Sequence, residues 1–169
     1  GQDLAEVDRE FPPIWALLAK AGIKPGAFGP LHSYPLPVDL SQYAFYVPDT
    51  FAAGPECFPE QLSQFQAFNL AMVDASGRNV SKSLMLSKAL PFLRAAPGLG
   101  LRGRTCVSLA RQLARERVSP KLSCRRRTSQ VEIAFDFYLK QLNQHTPAVS
   151  WFFTNHVASS MHRYWPGTD

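Results

Sequence analysis

Short aromatic and β-branched runs, each stopped by proline or glycine and held apart by helix-forming segments, limit what this chain can fold into. "YAFYV" at 43–47 reads as a strand halted by Pro48, and "AVSWFFT" at 148–154 as a buried strand that follows the break at Pro147. "IKPGAFG" at 23–29 gives a further short strand and turn, restricted by Pro25. Before it, "PPIWALLAKAG" has prolines at a helix start, good helix formers in its middle and Gly22 as a stop. A helix and strand followed by a loop and strand begins an α/β pattern with a mostly parallel sheet.

The long interval between the second and third strands predicts helices. Leu62, Phe65, Phe68 and Met72 recur at spacings of three and four, marking one face of a helix that begins near Pro59 and ends near Gly77. A second helix is expected over 83–94, followed by "AAPGLGLRG" as a loop of small residues. Val107, Ala110, Ala114 and Val118 trace the apolar stripe of a helix whose other face is basic and which Pro120 ends. "SQVE" at 129–132 has the form of a capping box opening a helix that runs to about Asn143. The whole is expected to be a single domain over 1–169, with 59–143 as a helical insertion.

Composition supports a folded globule. Across 169 residues, 46% are hydrophobic and 12% aromatic, enough to bury a core. Apolar runs are short and interrupted, so no membrane span is expected. The opening "GQDLAEVDREF" lacks an initiator Met, a basic region and an apolar region, and reads as the interior of a longer chain. Cys57, Cys106 and Cys124 are odd in number and widely spaced, which suits free thiols and leans towards a reducing, cytoplasmic compartment.

Charge is unevenly placed. The segment 102–127 carries nine Lys/Arg against Glu116 alone, a local balance of +8, and the rest of the chain is therefore −3 out of the total +5. Such a segment reads as a solvated helix face, as a phosphate-attracting insertion beside an active site, or as a module for nucleic acid backbone. The chain as a whole does not have the distribution of a nucleic-acid binder.

Several stretches are candidates for chemistry. "LHSYP" places His32, Ser33 and Tyr34 on a loop, where neighbouring residues seldom align for proton transfer and no glycine elbow surrounds the serine. A loop lining a substrate cleft is the preferred reading. Asp49 in "VPDTF" suits a turn cap. "GLGLRGR" lacks the Lys-Ser/Thr of a phosphate-binding loop and reads as a plain loop. "TNHVASSMHRYW" leaves the last strand with Asn155, His156 and His162, either a metal site or an aromatic corner in which the histidines satisfy hydrogen bonds beside Tyr164 and Trp165. In α/β folds the C-terminal ends of the strands are where ligands bind.

"FFTNHVASSMHRYW" resembles the strand and loop of type I phosphodiesterases and nucleotide pyrophosphatases of the alkaline phosphatase superfamily, in which Asp-x-x-x-His follows an aromatic strand. "IWALLAKAGIKPGAFGPLHSYP" is similar to that family's helix, strand and loop, and "FYVPDTFAAGPECFPEQL" to its Val-Ser-Asp-x-Phe stretch and following helix start. The matched blocks, Phe11 to Leu62 and Val149 to Trp165, stand in the family's order.

The resemblance implies a partial alkaline-phosphatase-like fold and a metal-dependent phosphoric ester hydrolase acting on a phosphate-ester small molecule. Two divalent cations, zinc or manganese, would lower the pKa of a Thr or Ser nucleophile and neutralise charge on the transferring phosphoryl group. His162 falls on the family's metal-binding His, with His156 as a substitute ligand, and Asn155, His32, Ser33 and Tyr34 fall at the substrate cleft. Ala158 falls where the family has Asp, and a methyl group offers no lone pair. The family's nucleophile and its other metal ligands precede Phe11 or follow Asp169, so these residues read as a central fragment. Alone it is expected to bind no metal tightly and to be inactive. A noncatalytic binding domain on the same fold is the alternative, favoured by Ala158.

Overall fold

The computed structural model describes residues 10–77, 82–158 and 161. In chain order the elements are α1 (Ile14–Lys20), β1 (Gly26–Phe28), β2 (Phe45–Val47), α2 (Ser63–Gly77), α3 (Lys82–Leu99), α4 (Gly103–Val118), α5 (Arg126–His145) and β3 (Ser150–Phe152). Short 3₁₀ turns at Leu40–Gln42, Glu60–Leu62 and Pro120–Arg125 link them. The sheet is parallel, in the order β2-β1-β3, with Gly26 opposite both Phe45 and Ser150, and Phe28 opposite both Val47 and Phe152. The chain is therefore α/β, with helices flanking a three-stranded parallel sheet.

Alternation along the strands divides the core between the two faces. Ala27 and Tyr46 point to one side, where they pack with Ala19 of α1 and with Tyr43. Trp15 of α1 meets Trp151 of β3 edge-on at 6.2 Å. Phe28, Phe45 and Val47 point to the other side and meet Leu62, Phe65, Phe92, Ile133 and Phe137 from the long helices. That layer is rich in aromatic pairs: Phe65 sits edge-on to Phe137 at 5.2 Å, and Phe68 stacks on Phe92 at 4.5 Å. Each such pair contributes roughly 0.5–1.5 kcal/mol beyond its burial.

Two glycines of the β1 segment are required by what surrounds them. A Cβ on Gly26 would run into the ring of Phe45, so the missing side chain is what lets the central strand accept that ring. Gly29 has φ +73°, and a Cβ there would meet the Phe153 carbonyl at 3.0 Å. The chains leaving β1 and β3 are thus tightly apposed, and the Phe153 amide donates to the Phe28 carbonyl at 2.9 Å.

The helices differ from expectation in informative places. α3 runs on through Pro91 and Pro97 to Leu99, where the sequence reads as a loop from residue 95. Burial of Phe92, Ala96 and Leu99 in the main core outweighs the amide hydrogen bonds those prolines forgo. α5 begins at Arg126, continuous with the preceding 3₁₀ turn, so Ser129 lies inside the helix and does not cap it. The Oε2 atom of Glu132 has no hydrogen-bond partner among the described residues. The stripe of α4 faces outward: Val107 and Val118 are exposed, while Thr105 and Glu116 on the opposite side are buried. No helix among the described residues is long and apolar enough to cross a membrane.

Candidate functional site

Because β1, β2 and β3 are parallel, the segments that follow them emerge at one edge of the sheet: 29–35 after β1, 48–52 after β2 and 153–158 after β3. This is the edge at which α/β folds bind ligands.

The first two segments are fastened together by Asp49 and Ser33. The Asp49 amide donates to the Ser33 hydroxyl at 2.8 Å. In return the Asp49 carboxylate accepts from the His32 amide through Oδ2 at 2.8 Å, and from the Phe51 amide through Oδ1 at 2.8 Å. The bond to Phe51 is the turn-capping role expected of Asp49, whereas the bond to His32 crosses from one strand end to the other. Ser33 and Asp49 are both buried, so their hydrogen bonds are shielded from competing water. Tyr46 adds a further tie, its hydroxyl donating to the Ser33 carbonyl at 2.8 Å.

Held in this way, His32 has φ 58°, in the left-handed region that few non-glycine residues adopt. The Asp49 carboxylate gives its amide a fixed acceptor there. His32 is exposed and Tyr34 half-buried, whereas Ser33 is buried and its hydroxyl is committed to the bond from the Asp49 amide.

The segment after β3 begins with its own local closure. The Thr154 hydroxyl lies 3.2 Å from Nδ1 of His156 and accepts from the His156 amide at 3.4 Å. A helical turn starts at His156 and carries Ala158, which is exposed, as is Asn155. His162, Tyr164 and Trp165 lie outside the described residues. Among the described residues no three of His, Cys, Asp or Glu are grouped closely enough to share a cation. His162 is not among them.

Sequence reasoning missed the helical side of this arrangement. Gln66 is fully buried in α2 and donates through Nε2 to the Asp49 carbonyl at 2.8 Å. Asn69 donates to Oε1 of Gln66 at 3.4 Å and accepts from Nε2 of Gln130 on α5. The chain of amides therefore runs from α5 through α2 to the loop after β2. Its signal was available: Gln66 stands four residues after Leu62, on the apolar face of α2, where a polar side chain needs a partner. Asp136 likewise lies among Ile133 and Phe137 on α5, and it accepts from the Arg102 amide at 2.9 Å and pairs with the Arg102 guanidinium at 3.5 Å.

The edge thus combines a rigid floor, built by Ser33, Asp49, Tyr46 and Gln66, with His32, Asn155 and His156 on the segments above the strand ends. No family model matches the chain, and comparisons with curated proteins and with solved structures likewise give no match.

Proposed function

We propose that this chain carries the central part of a metal-dependent phosphoric ester hydrolase with an alkaline-phosphatase-like fold, and that the sheet edge bearing His32 and His156 is its substrate side. The observation that supports this most directly is the convergence of three parallel strand ends, with the loops after β1 and β2 locked by Asp49 and the loop after β3 beside them. A preorganised edge of this kind suits binding of a phosphate ester, whose charge must be met by groups already in place. In this reading His162, with His156 as a further ligand, contributes to one of two divalent zinc or manganese sites. The nucleophile and the remaining ligands come from sequence outside these residues.

A second reading, a binding domain without catalysis on the same fold, is favoured by Ala158. It occupies the turn after β3 at the position where the resembled motif has a carboxylate.

Calorimetric titration with zinc and with manganese, beside an assay on a chromogenic phosphodiester, tests both readings. Weak metal binding that falls with His162→Ala and strengthens with Ala158→Asp, without turnover by this chain, agrees with the hydrolase reading, since a catalytic zinc commonly takes about three protein ligands. Binding indifferent to all three of His156→Ala, His162→Ala and Ala158→Asp removes the metal from the proposal and leaves the binding domain. Metal-dependent turnover by the chain itself contradicts placing the nucleophile elsewhere.

A further inference from the structure

α4 is turned inside out relative to an ordinary surface helix. The side it presents to α5 and to the 3₁₀ turn at Pro120–Arg125 is largely polar: Thr105 and Glu116 are buried, and Gln112 donates to Oε1 of Glu116 at 3.0 Å and to the Leu122 carbonyl at 2.7 Å. Leu109 is the apolar residue of that side that reaches the core. The opposite side carries Val107 and Val118, with exposures of 56% and 88%, and Leu113, also 56% exposed, lies on the flank next to Leu109. Amphipathic helices normally bury the apolar stripe and wet the polar one. This one does the reverse with a side chain set that includes three exposed β-branched or leucine residues within about three turns.

The stripe has the spacing of a helix-packing seam. Gly103, Val107, Ala110 and Ala114 follow one another at steps of four, three and four, which brings them onto one line of the helix. Arg104 and Arg111 flank that line on one side, Arg115 stands beside them, and all three are exposed. Among the described residues none of these arginines has a carboxylate partner.

We propose that this face of α4 docks an amphipathic helix of a partner whose apolar side meets Val107, Ala110 and Ala114 and whose acidic residues meet Arg104, Arg111 and Arg115. Charge decides the occupant. A second copy of the chain would bring the same arginines against each other, and like charges at such a seam oppose pairing. A membrane surface would use the arginines, but interfacial helices anchor with Trp, Phe and several Leu, whereas this stripe consists of glycine, valine and alanine. An acidic helix satisfies both the apolar seam and its basic border.

The test uses the chain as it stands and a synthetic helical peptide with leucines along one face and glutamates beside them, with binding followed by fluorescence anisotropy. Binding should weaken as salt is raised, and Arg104→Glu with Arg111→Glu together should reduce affinity by at least about tenfold. The same peptide with lysines in place of the glutamates should then bind the doubly reversed variant in preference to the original chain. That swap distinguishes a lost contact from a misfolded variant. Val107→Asp, at an exposed position, should abolish binding while leaving thermal unfolding unchanged. The proposal is overturned if the glutamate peptide does not bind, or if polyglutamate without a leucine face binds equally well. It is also overturned if α4 instead mediates dimerisation in sedimentation that Val107→Asp removes, or adsorption to phosphatidylserine vesicles in place of the peptide.

Discussion

The Asp49 amide donates to the Ser33 hydroxyl while the Asp49 carboxylate accepts from the amide of His32, so the two loops exchange hydrogen bonds in both directions at 2.8 Å. Removing either partner strands a buried polar group of the other. Ser33→Ala leaves the Asp49 amide unpaired and should cost roughly 1–3 kcal/mol. Asp49→Ala removes two charge-assisted bonds and should cost roughly 3 kcal/mol or more. Urea unfolding at constant slope measures both. Equal stability of Ser33→Ala and the original chain would mean that the clasp is not holding the loops.

Gly26 faces the Phe45 ring with no room for a methyl group. Gly26→Ala should therefore destabilise the sheet by roughly 1–3 kcal/mol, the usual cost of overpacking a filled core. Phe45→Leu alone should also destabilise, but in combination with Gly26→Ala the loss should be less than additive, because the smaller side chain opens the space the methyl needs. A double-mutant cycle in thermal or urea unfolding reads the coupling directly, and strict additivity contradicts the contact.

Burial pushes the Cys57 thiol well above its ordinary range, with the nearby Glu56 carboxylate acting in the same direction. Cys106 is exposed. Alkylation of the folded chain by iodoacetamide under mildly alkaline conditions, followed by peptide mass spectrometry, should label Cys106 quickly and Cys57 only on the timescale of opening, since the thiolate is the reacting form. Denaturant should equalise the two. Comparable labelling rates in the folded chain would contradict a buried, protonated Cys57.

Asp39 accepts from the Ser41 hydroxyl at 2.6 Å, from the Gln42 side chain at 3.0 Å and from the Ser41 amide at 3.0 Å. The Ser41 hydroxyl, then Gln42 and the Ser41 amide, hold its carboxyl below the ordinary value of 3.8. Because the folded value is the lower one, the contribution to stability is full above the ordinary carboxylate range and is lost as pH falls through the folded value. Carboxyl-carbon NMR titration should place the Asp39 midpoint below 3.8 and move it upward in Ser41→Ala. An unchanged midpoint in that variant would show that the hydroxyl bond does not set the shift.

Much of the architecture is legible in the amino-acid sequence, because strand and helix periods are local properties of the chain. The runs around Phe45 and Trp151, the stop at Gly22 and the face formed by Leu62, Phe65 and Phe68 each depend on neighbours a few residues away. They were enough to give a parallel α/β sheet with helices between its second and third strands. Asp49 was likewise readable as a turn cap, since its bond to Phe51 spans two residues.

What the sequence by itself left open depended on groups far apart along the chain. That Asp49 also holds His32, that Gln66 reaches the Asp49 carbonyl, and that Ser33 is spent inside the fold follow from strand ends brought together by the sheet. Ser129 reads as a cap until the 3₁₀ turn before it is seen to run straight into α5. The stripe of Val107, Ala110 and Ala114 has the right period for burial, but periodicity fixes only which residues share a face. Which face turns inward belongs to tertiary packing alone: Thr105 and Glu116 are buried, and Gln112 reaches both Glu116 and the Leu122 carbonyl of the following turn.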